Sequence, residues 1–329
     1  MESITKNRQT AAALRTMVTR AYGPHEVCDA DEDWFSELSH GWFNVAYRIR
    51  LRSGTDVVLK IAPPPDVEVM TYERGAMATE LQALRLIREH TEVPVPTVHF
   101  TDRTHEVCDA DYFFMSYVDA DNLNVISDTL AKTELDAYDE ALGAITRQLN
   151  AIPGTAFGPL AGPGENTWRA AFLRMVEELL DDGERRAVVL PHGYHAVRHA
   201  VSAHADALDE VTESRFVEWD LWPGNCMVRD GRIVAILDHE RAFYGDPLME
   251  FGFAGSEPGA FGDSTAFLRG YGHQPLTHTQ LTRRRLYNLH LALIQIIETE
   301  YRAHTGTEQY DWACKRLREA MSLLATPAR

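Results

Sequence analysis

Positive charge is in short supply in this chain. Its 329 residues carry 32 Lys and Arg against 49 Asp and Glu, a net charge of −17. That deficit argues against nucleic acid as a partner, because a phosphate backbone is met by a basic stripe. It suits a cationic small molecule, though acidity also simply keeps proteins soluble. Cysteine is sparse too. Cys28, Cys108, Cys226 and Cys314 stand far apart with no C-x-x-C pair, which argues against structural zinc and reads as free thiols in a reducing compartment. No apolar run approaches the ~20 residues of a membrane helix. The N-terminal MESITKNRQTAAALRTMV lacks the continuous apolar core of a signal peptide. Together these absences predict a cytoplasmic protein with no membrane partner. The remaining composition, 45% hydrophobic and 25% charged, is that of an ordinary globular chain, long enough for one large or two moderate domains.

Chemistry is concentrated between Phe216 and Phe251, in FVEWDLWPGNCMVRDGRIVAILDHERAFYGDPLMEF. Asp220 is followed by Asn225 in a loop tightened by Pro223 and Gly224. Cys226-Met227-Val228 reads as a short strand, Arg229-Asp230-Gly231-Arg232 as a hairpin turn, and Ile233 to Leu237 as the return strand. Asp238 ends it. One hairpin therefore carries three oxygen-bearing side chains to the same edge. Asn225 and Asp238 offer a neutral and an anionic oxygen to a hard cation such as Mg²⁺, which also takes substrate phosphates. Asp220 is left to accept a proton from an attacking hydroxyl. Those are parts that phosphoryl transfer from a nucleotide requires.

The stretch resembles the catalytic segment of the aminoglycoside phosphotransferase family, the small-molecule branch of the protein-kinase-like fold. That family's pattern is roughly H-G-D-x-x-x-x-N, a hairpin, then I-D-[WF]-E and G-D-P. The counterparts are Glu218-Trp219-Asp220, Asn225, Leu237-Asp238-His239-Glu240 and Gly245-Asp246-Pro247. Glu218 stands where the family usually has His. The resemblance runs from about Ser39 to Phe253. It implies an α+β, two-lobed protein-kinase-like fold, with an N-terminal nucleotide-binding lobe over residues 1–117 and a mostly helical catalytic and substrate-binding lobe over 118–329.

Upstream, the same resemblance assigns roles. Residues 44–51 and 57–61 read as paired strands, and the turn before them holds Ser39, Gly41 and Asn44, which would meet the nucleotide phosphates. Lys60, late in the second strand, would pair with those phosphates. Glu80, on a helix expected over 68–90, is the chosen carboxylate for Lys60, with Glu73 the second choice. A Pro-bounded strand entry at 93–98 and a strand over 112–118 follow. Ser116, Tyr117 and Val118 would form the hinge whose backbone meets the base. Helices are expected over 3–22, 132–151, 168–182, 192–211, 279–299 and 308–325.

Other features carry less. Asp246, before Pro247, suits a turn that braces the catalytic loop. His192, His195 and His199 share helical spacing, but no carboxylate or cysteine motif accompanies them, so they read as exposed helix residues rather than metal ligands. HEVCDAD occurs at 25–31 and again at 105–111; both copies read as loops with no assigned role. Glu250, Glu257, Asp263, Glu298 and Glu300 are acids that could meet a cationic substrate. The resemblance implies a Mg²⁺- and ATP- or GTP-dependent O-phosphotransferase acting on an aminoglycoside or other antibiotic. A metabolite kinase of the choline, amino sugar, methylthioribose or homoserine type is the alternative within the class. A nucleotide-binding pseudokinase is the alternative outside it, and retention of Lys60, Asp220, Asn225 and Asp238 argues against that.

Overall fold

Alternation of apolar and polar residues builds the first sheet. Along Val45–Arg50, Val45, Tyr47 and Ile49 point inward and their neighbours outward, the period-2 pattern of a half-buried strand. The structure, a computed structural model, describes residues 3–29, 33–38, 41, 43–257, 262–272 and 274–326. The chain divides into two compact units, Met1–Val69 with Pro96–Asp119, and Met70–Val95 with Ala120–Arg329.

The first unit holds helix α1 (Ala11–Tyr22) and strands β1 (Phe35–Glu37), β2 (Val45–Arg50), β3 (Asp56–Ile61), β4 (Val98–Asp102) and β5 (Tyr112–Ser116). The strands form one antiparallel sheet in the order β1-β2-β3-β5-β4. Leu14, Met17 and Val18 of α1 share an apolar cluster with Ile49, Leu59 and Phe114. The helix starts at Ala11 rather than residue 3, because Thr10 caps it by accepting from the Ala13 N–H at 3.2 Å. Residues 3–9 run as a separate segment, tied by the Gln9 N–H to the Tyr47 hydroxyl at 3.1 Å.

The repeated heptapeptide acquires a physical account here. Val27 and Cys28 of the first copy, and Val107 and Cys108 of the second, pack against this same cluster. The glutamates of both copies serve the loops around them: Glu26 accepts from the Ser53 N–H at 3.0 Å, and Glu106 pairs with Arg20 at 2.6 Å. Ala30 and Asp31 lie outside the described residues.

The second unit begins with a turn at Thr71–Glu73 and helix α2 (Ala76–His90). The helix expected over 68–90 is shortened because Gly75 takes a left-handed conformation at φ 76. Met70, Ala83, Ile87 and Val93 lie in one apolar cluster with Trp168, Phe172, Leu289 and Ile296. That burial groups Met70–Val95 with the second unit, whereas the expected division placed it within 1–117. Strand β6 (Asp121–Asn122), helices α3 (Leu123–Ile126) and α4 (Lys132–Leu149), strand β7 (Gly158–Pro159), and helices α5 (Trp168–Arg185) and α6 (Gly193–Ala203) follow. The helix expected over 192–211 is split, with a 3-10 turn at Ala205–Glu210; His192, His195 and His199 are exposed.

Strands β8 (Arg215–Val217), β9 (Cys226–Arg229), β10 (Arg232–Ile236) and β11 (Phe243–Gly245) complete two small sheets, ordered β10-β9-β6 and β7-β11-β8. Helices α7 (Thr265–Tyr271), α8 (His278–Tyr301) and α9 (Glu308–Leu324) close the chain. Among the described residues no helix is long and apolar enough to cross a membrane.

Candidate active site

The β9–β10 hairpin is the platform. Arg229 pairs with Arg232 and Cys226 with Ile236. Asp230 and Gly231 turn the chain at φ 51 and 73, the left-handed pair that a tight two-residue connection requires. Beyond the last rung the Leu237 N–H donates to the Asn225 carbonyl at 2.9 Å, and the Asn225 Nδ2 donates to the Asp220 carbonyl at 2.8 Å. These bonds hold the loop before β9 against the loop after β10. Asp220, Asn225 and Asp238 thus stand at one edge, as the hairpin reading expected.

Both loops are strained. Trp219 and Asp238 sit at φ 66 and 69, a conformation that costs a side-chain-bearing residue about 1–2 kcal/mol. Glu250 secures the first loop: its carboxylate accepts from the Glu218 N–H at 2.9 Å, the Trp219 N–H at 2.8 Å and Asn150 Nδ2 at 2.7 Å. Burial pushes Glu250 up to about 7 even against those donors. It is an internal brace, and the expectation that it could meet a cationic substrate is corrected. Asp246 accepts from the Leu248 N–H at 3.1 Å, Arg283 Nε at 2.8 Å and the Tyr287 hydroxyl at 2.6 Å. It therefore ties the Gly-Asp-Pro turn to α8, while the direct brace on the loop that holds Asp220 is Glu250. Gly245 is required there, because a Cβ would come within 2.6 Å of the Trp168 ring.

Asp220 keeps 29% of its side chain accessible. Burial is nevertheless the largest influence on it and raises its carboxyl to about 6; Arg241 opposes the shift, while Asp238, Glu298 and Glu218 add to it. Arg241 Nε lies 3.9 Å from Asp220 Oδ2 and its Nη2 4.0 Å from Glu298. The guanidinium stands 5.4 Å from the ring centres of both Tyr72 and Trp219. A carboxylate poised near 6 can take a proton at neutral pH and still be a useful base.

Glu80, Asp238 and Glu240 bring carboxylate oxygens within 4.8 Å of one another. Three hard anionic donors this close match the oxygen-rich sphere of Mg²⁺. Glu240 was legible in the Asp-x-Glu spacing but drew no role in the sequence. Glu73 is committed elsewhere, in a buried ion pair with Arg302. Glu218, at the departing position, points Oε1 at His239 Nδ1 across 2.7 Å. Burial alone would lower the His239 pKa, but the Glu218 carboxylate outweighs it and the net direction is up. Of the remaining acids, Glu257 pairs with Arg285 at 2.8 Å and Asp263 caps the Thr265 N–H at 2.9 Å. Glu300 is exposed.

In the first unit Lys60 is buried on β3, opposite Ala46 on one side and Phe113 on the other. Asn44 is buried, and Gly41 is exposed; Ser39 lies outside the described residues. Ser116 ends β5, and its N–H is already spent on the Thr97 carbonyl at 2.9 Å. Tyr117 and Val118 lie just past the strand, with the Arg48 guanidinium 4.5 Å from the Tyr117 ring centre. Two surface cavities of about 230 and 340 Å³ are lined by other residues, including His204 and Thr282 in one and Thr155 and Thr212 in the other.

No curated protein matches the chain. Solved structures similar to it include a thermostable mutant of aminoglycoside phosphotransferase APH(4)-Ia in its apo form. That structure has a TM-score of 0.66 at 18% identity, over 94% of this chain and 98% of that one. Its ternary complex with AMP-PNP and hygromycin B has a TM-score of 0.66 at 18% identity, over 96% and 100%. A Thermobifida fusca protein assigned as a fructosamine-3-kinase has a TM-score of 0.64 at 20% identity, over 95% and 100%. At such identities the likeness establishes the fold, an N-terminal antiparallel-sheet lobe with a helical C-terminal lobe. The profile of the phosphotransferase enzyme family spans residues 34–287, and the chain therefore belongs to the phosphotransferase enzyme family.

Proposed function

We propose that this protein is a small-molecule kinase that moves the γ-phosphate of ATP or GTP to a hydroxyl group. The observation that carries the reading is the edge of the β9–β10 hairpin, where Asp220, with its carboxyl near 6, stands beside the Asp238 carboxylate group. Asp220 accepts the proton of the acceptor hydroxyl. The hydroxyl oxygen bonds to the γ-phosphorus, and the bond from phosphorus to the bridging oxygen breaks to release the nucleoside diphosphate. Arg241 keeps enough of Asp220 ionised to act. Asn225 and Asp238 would hold Mg²⁺, with the Glu240 and Glu80 carboxylates close to that of Asp238. Mg²⁺ at that place would supply neutralisation of phosphate charge. Lys60, Gly41 and Asn44 serve the phosphates, and the backbone of Tyr117 and Val118 serves the base. Positioning and charge neutralisation dominate such a reaction, because its transition state is loose.

The acceptor we assign is an aminoglycoside or another antibiotic, which would make the protein a resistance enzyme of the cytoplasm. Hygromycin B in the ternary complex of a similar structure supports that class, and the net charge of −17 suits a cation. The test is a coupled nucleotide-consumption assay with Mg²⁺-ATP and Mg²⁺-GTP against aminoglycosides, macrolides, fructosamines, amino sugars and choline. A hit abolished by Asp220→Ala establishes the kinase and its acceptor class. Turnover that survives Asp220→Ala removes the assigned base, and a wild-type chain that binds neither nucleotide removes the reading.

A further inference from the structure

Lys6 lies in the segment that precedes α1. Its side chain is 1% exposed, so it is as buried as a core leucine. An ammonium carries three donors, yet among the described residues no acceptor lies within hydrogen-bond distance of Nζ. Its ion pair is with Glu37, at 3.6 Å. That carboxylate is already shared, since Arg8 donates to it from Nε at 2.7 Å and from Nη2 at 3.4 Å. Burying a charge without hydrogen bonds is expensive, and a stabilising role would be served better by an apolar residue of similar length.

The direction of the ammonium identifies what it lacks. A Cβ built on Gly41 would stand 4.0 Å from Lys6 Nζ and 3.7 Å from the Asn44 carbonyl oxygen, so Nζ lies against the bare flank of Gly41. Lys60 is also near enough to act on it: burial is the largest influence lowering the Lys6 pKa, Glu37 opposes it, and Arg8 and then Lys60 lower it further. Lys6 and Lys60 are like charges within one unit, and a phosphate beside Gly41 would answer the charge of Lys6. Gly41, Asn44 and Lys60 are the residues assigned above to the nucleotide phosphates.

The geometry points to Lys6 as a second phosphate-binding lysine of the nucleotide site, donating from Nζ to a phosphate oxygen beside Gly41. This inference rests on the phosphotransferase reading and extends it to the segment before α1. The charge on that segment is matched to a ligand rather than to the fold, so removing it trades function against stability.

The experiment uses the full chain, wild type and Lys6→Met, with Lys6→Gln as a second variant should the first fail to fold. Calorimetry measures Mg²⁺-ATP and adenosine, and thermal melting is recorded without nucleotide. Lys6→Met is expected to weaken Mg²⁺-ATP about tenfold or more, the loss of one charge-assisted bond. Adenosine affinity should hold, and the nucleotide-free chain should melt higher. Unchanged or tighter Mg²⁺-ATP binding overturns the inference, tighter binding meaning that the ammonium competes with the nucleotide. Equal losses for Mg²⁺-ATP and adenosine, with a lower melting temperature, also overturn it by marking Lys6 as structural. A wild-type chain that binds no nucleotide overturns the phosphotransferase reading itself, an outcome distinct from binding that ignores Lys6.

Discussion

Glu218 and His239 meet at 2.7 Å, each side chain 1% exposed. They occupy two of the positions at which this chain departs from the family pattern, Glu for the His two residues before Asp220 and His for the aromatic residue of I-D-[WF]-E. Neither change stands alone: the carboxylate at one position answers the imidazole at the other. The pair joins the strained loop containing Trp219 to the strained loop containing Asp238. Breaking a buried pair leaves an uncompensated polar group and costs about 3–5 kcal/mol. Glu218→Ala is therefore expected to destabilise by that order in urea unfolding. The double variant Glu218→Ala/His239→Ala should lose clearly less than the sum of the single losses; additive losses would mean the two do not act as a unit.

As the proposed base, Asp220 should set the acid limb of activity. With its carboxyl at about 6, kcat/KM should rise through pH 6 and level above it, because only the carboxylate takes the proton. Arg241→Met removes the neighbouring cation that favours ionisation, so the limb should move to higher pH. A pH–rate profile that stays in place would show that Arg241 does not tune the base.

The same shift has a stability consequence. The folded state binds a proton at Asp220 more tightly than the unfolded chain does. Ionisation therefore opposes folding, with a penalty that grows between about pH 4 and pH 6 and persists above. Asp220→Asn should abolish turnover yet melt a few degrees higher than wild type at pH 8. That gain should vanish at pH 4, where the wild-type carboxyl is already protonated. Melting curves at the two pH values check it.

Glu250→Gln probes the brace. An amide oxygen in the place of Oε1 keeps the Glu218 N–H and Asn150 Nδ2 but turns an N–H₂ group toward the Trp219 N–H, and the opposite flip turns that group toward the other two donors. A buried mismatch of that kind costs about 1–3 kcal/mol. Activity should fall through kcat, since the loop that aims Asp220 is loosened, with nucleotide affinity little changed. A loss confined to KM for the acceptor would place Glu250 in the substrate site after all.

Glu240→Gln tests the carboxylate group around Asp238. If Glu240 shares the cation's charge, the Mg²⁺ concentration for half-maximal activity should rise roughly ten- to a hundredfold, the usual scale for partners of a metal ligand. Asp238→Ala should remove Mg²⁺-dependent nucleotide binding entirely. Magnesium titrations of activity and of nucleotide binding separate the two, and a Glu240→Gln enzyme with wild-type Mg²⁺ dependence would confine the site to Asn225 and Asp238.

The sequence by itself determined the local pieces. Asp230-Gly231 could only be a tight turn, the apolar runs on either side could only pair, and so Asn225 and Asp238 had to reach one edge. Alternation in 45–50 and helical period in 279–299 likewise specified elements, because a period of 2 or of 3.6 residues is set by neighbours in the chain. Tertiary structure alone decided which polar side chains meet. Glu250 could pass for a substrate contact until the fold carried it beneath the Glu218 and Trp219 amides. Glu73 could pass for the partner of Lys60 until Arg302, more than two hundred residues away, claimed it. Lys6 fell within the helix expected over 3–22, until Thr10 capped that helix and left the segment before it to bury its ammonium beside Gly41. Pairings of that kind arise only when burial strips water from charges that are distant in sequence, and each must then find whatever partner the fold has brought within reach.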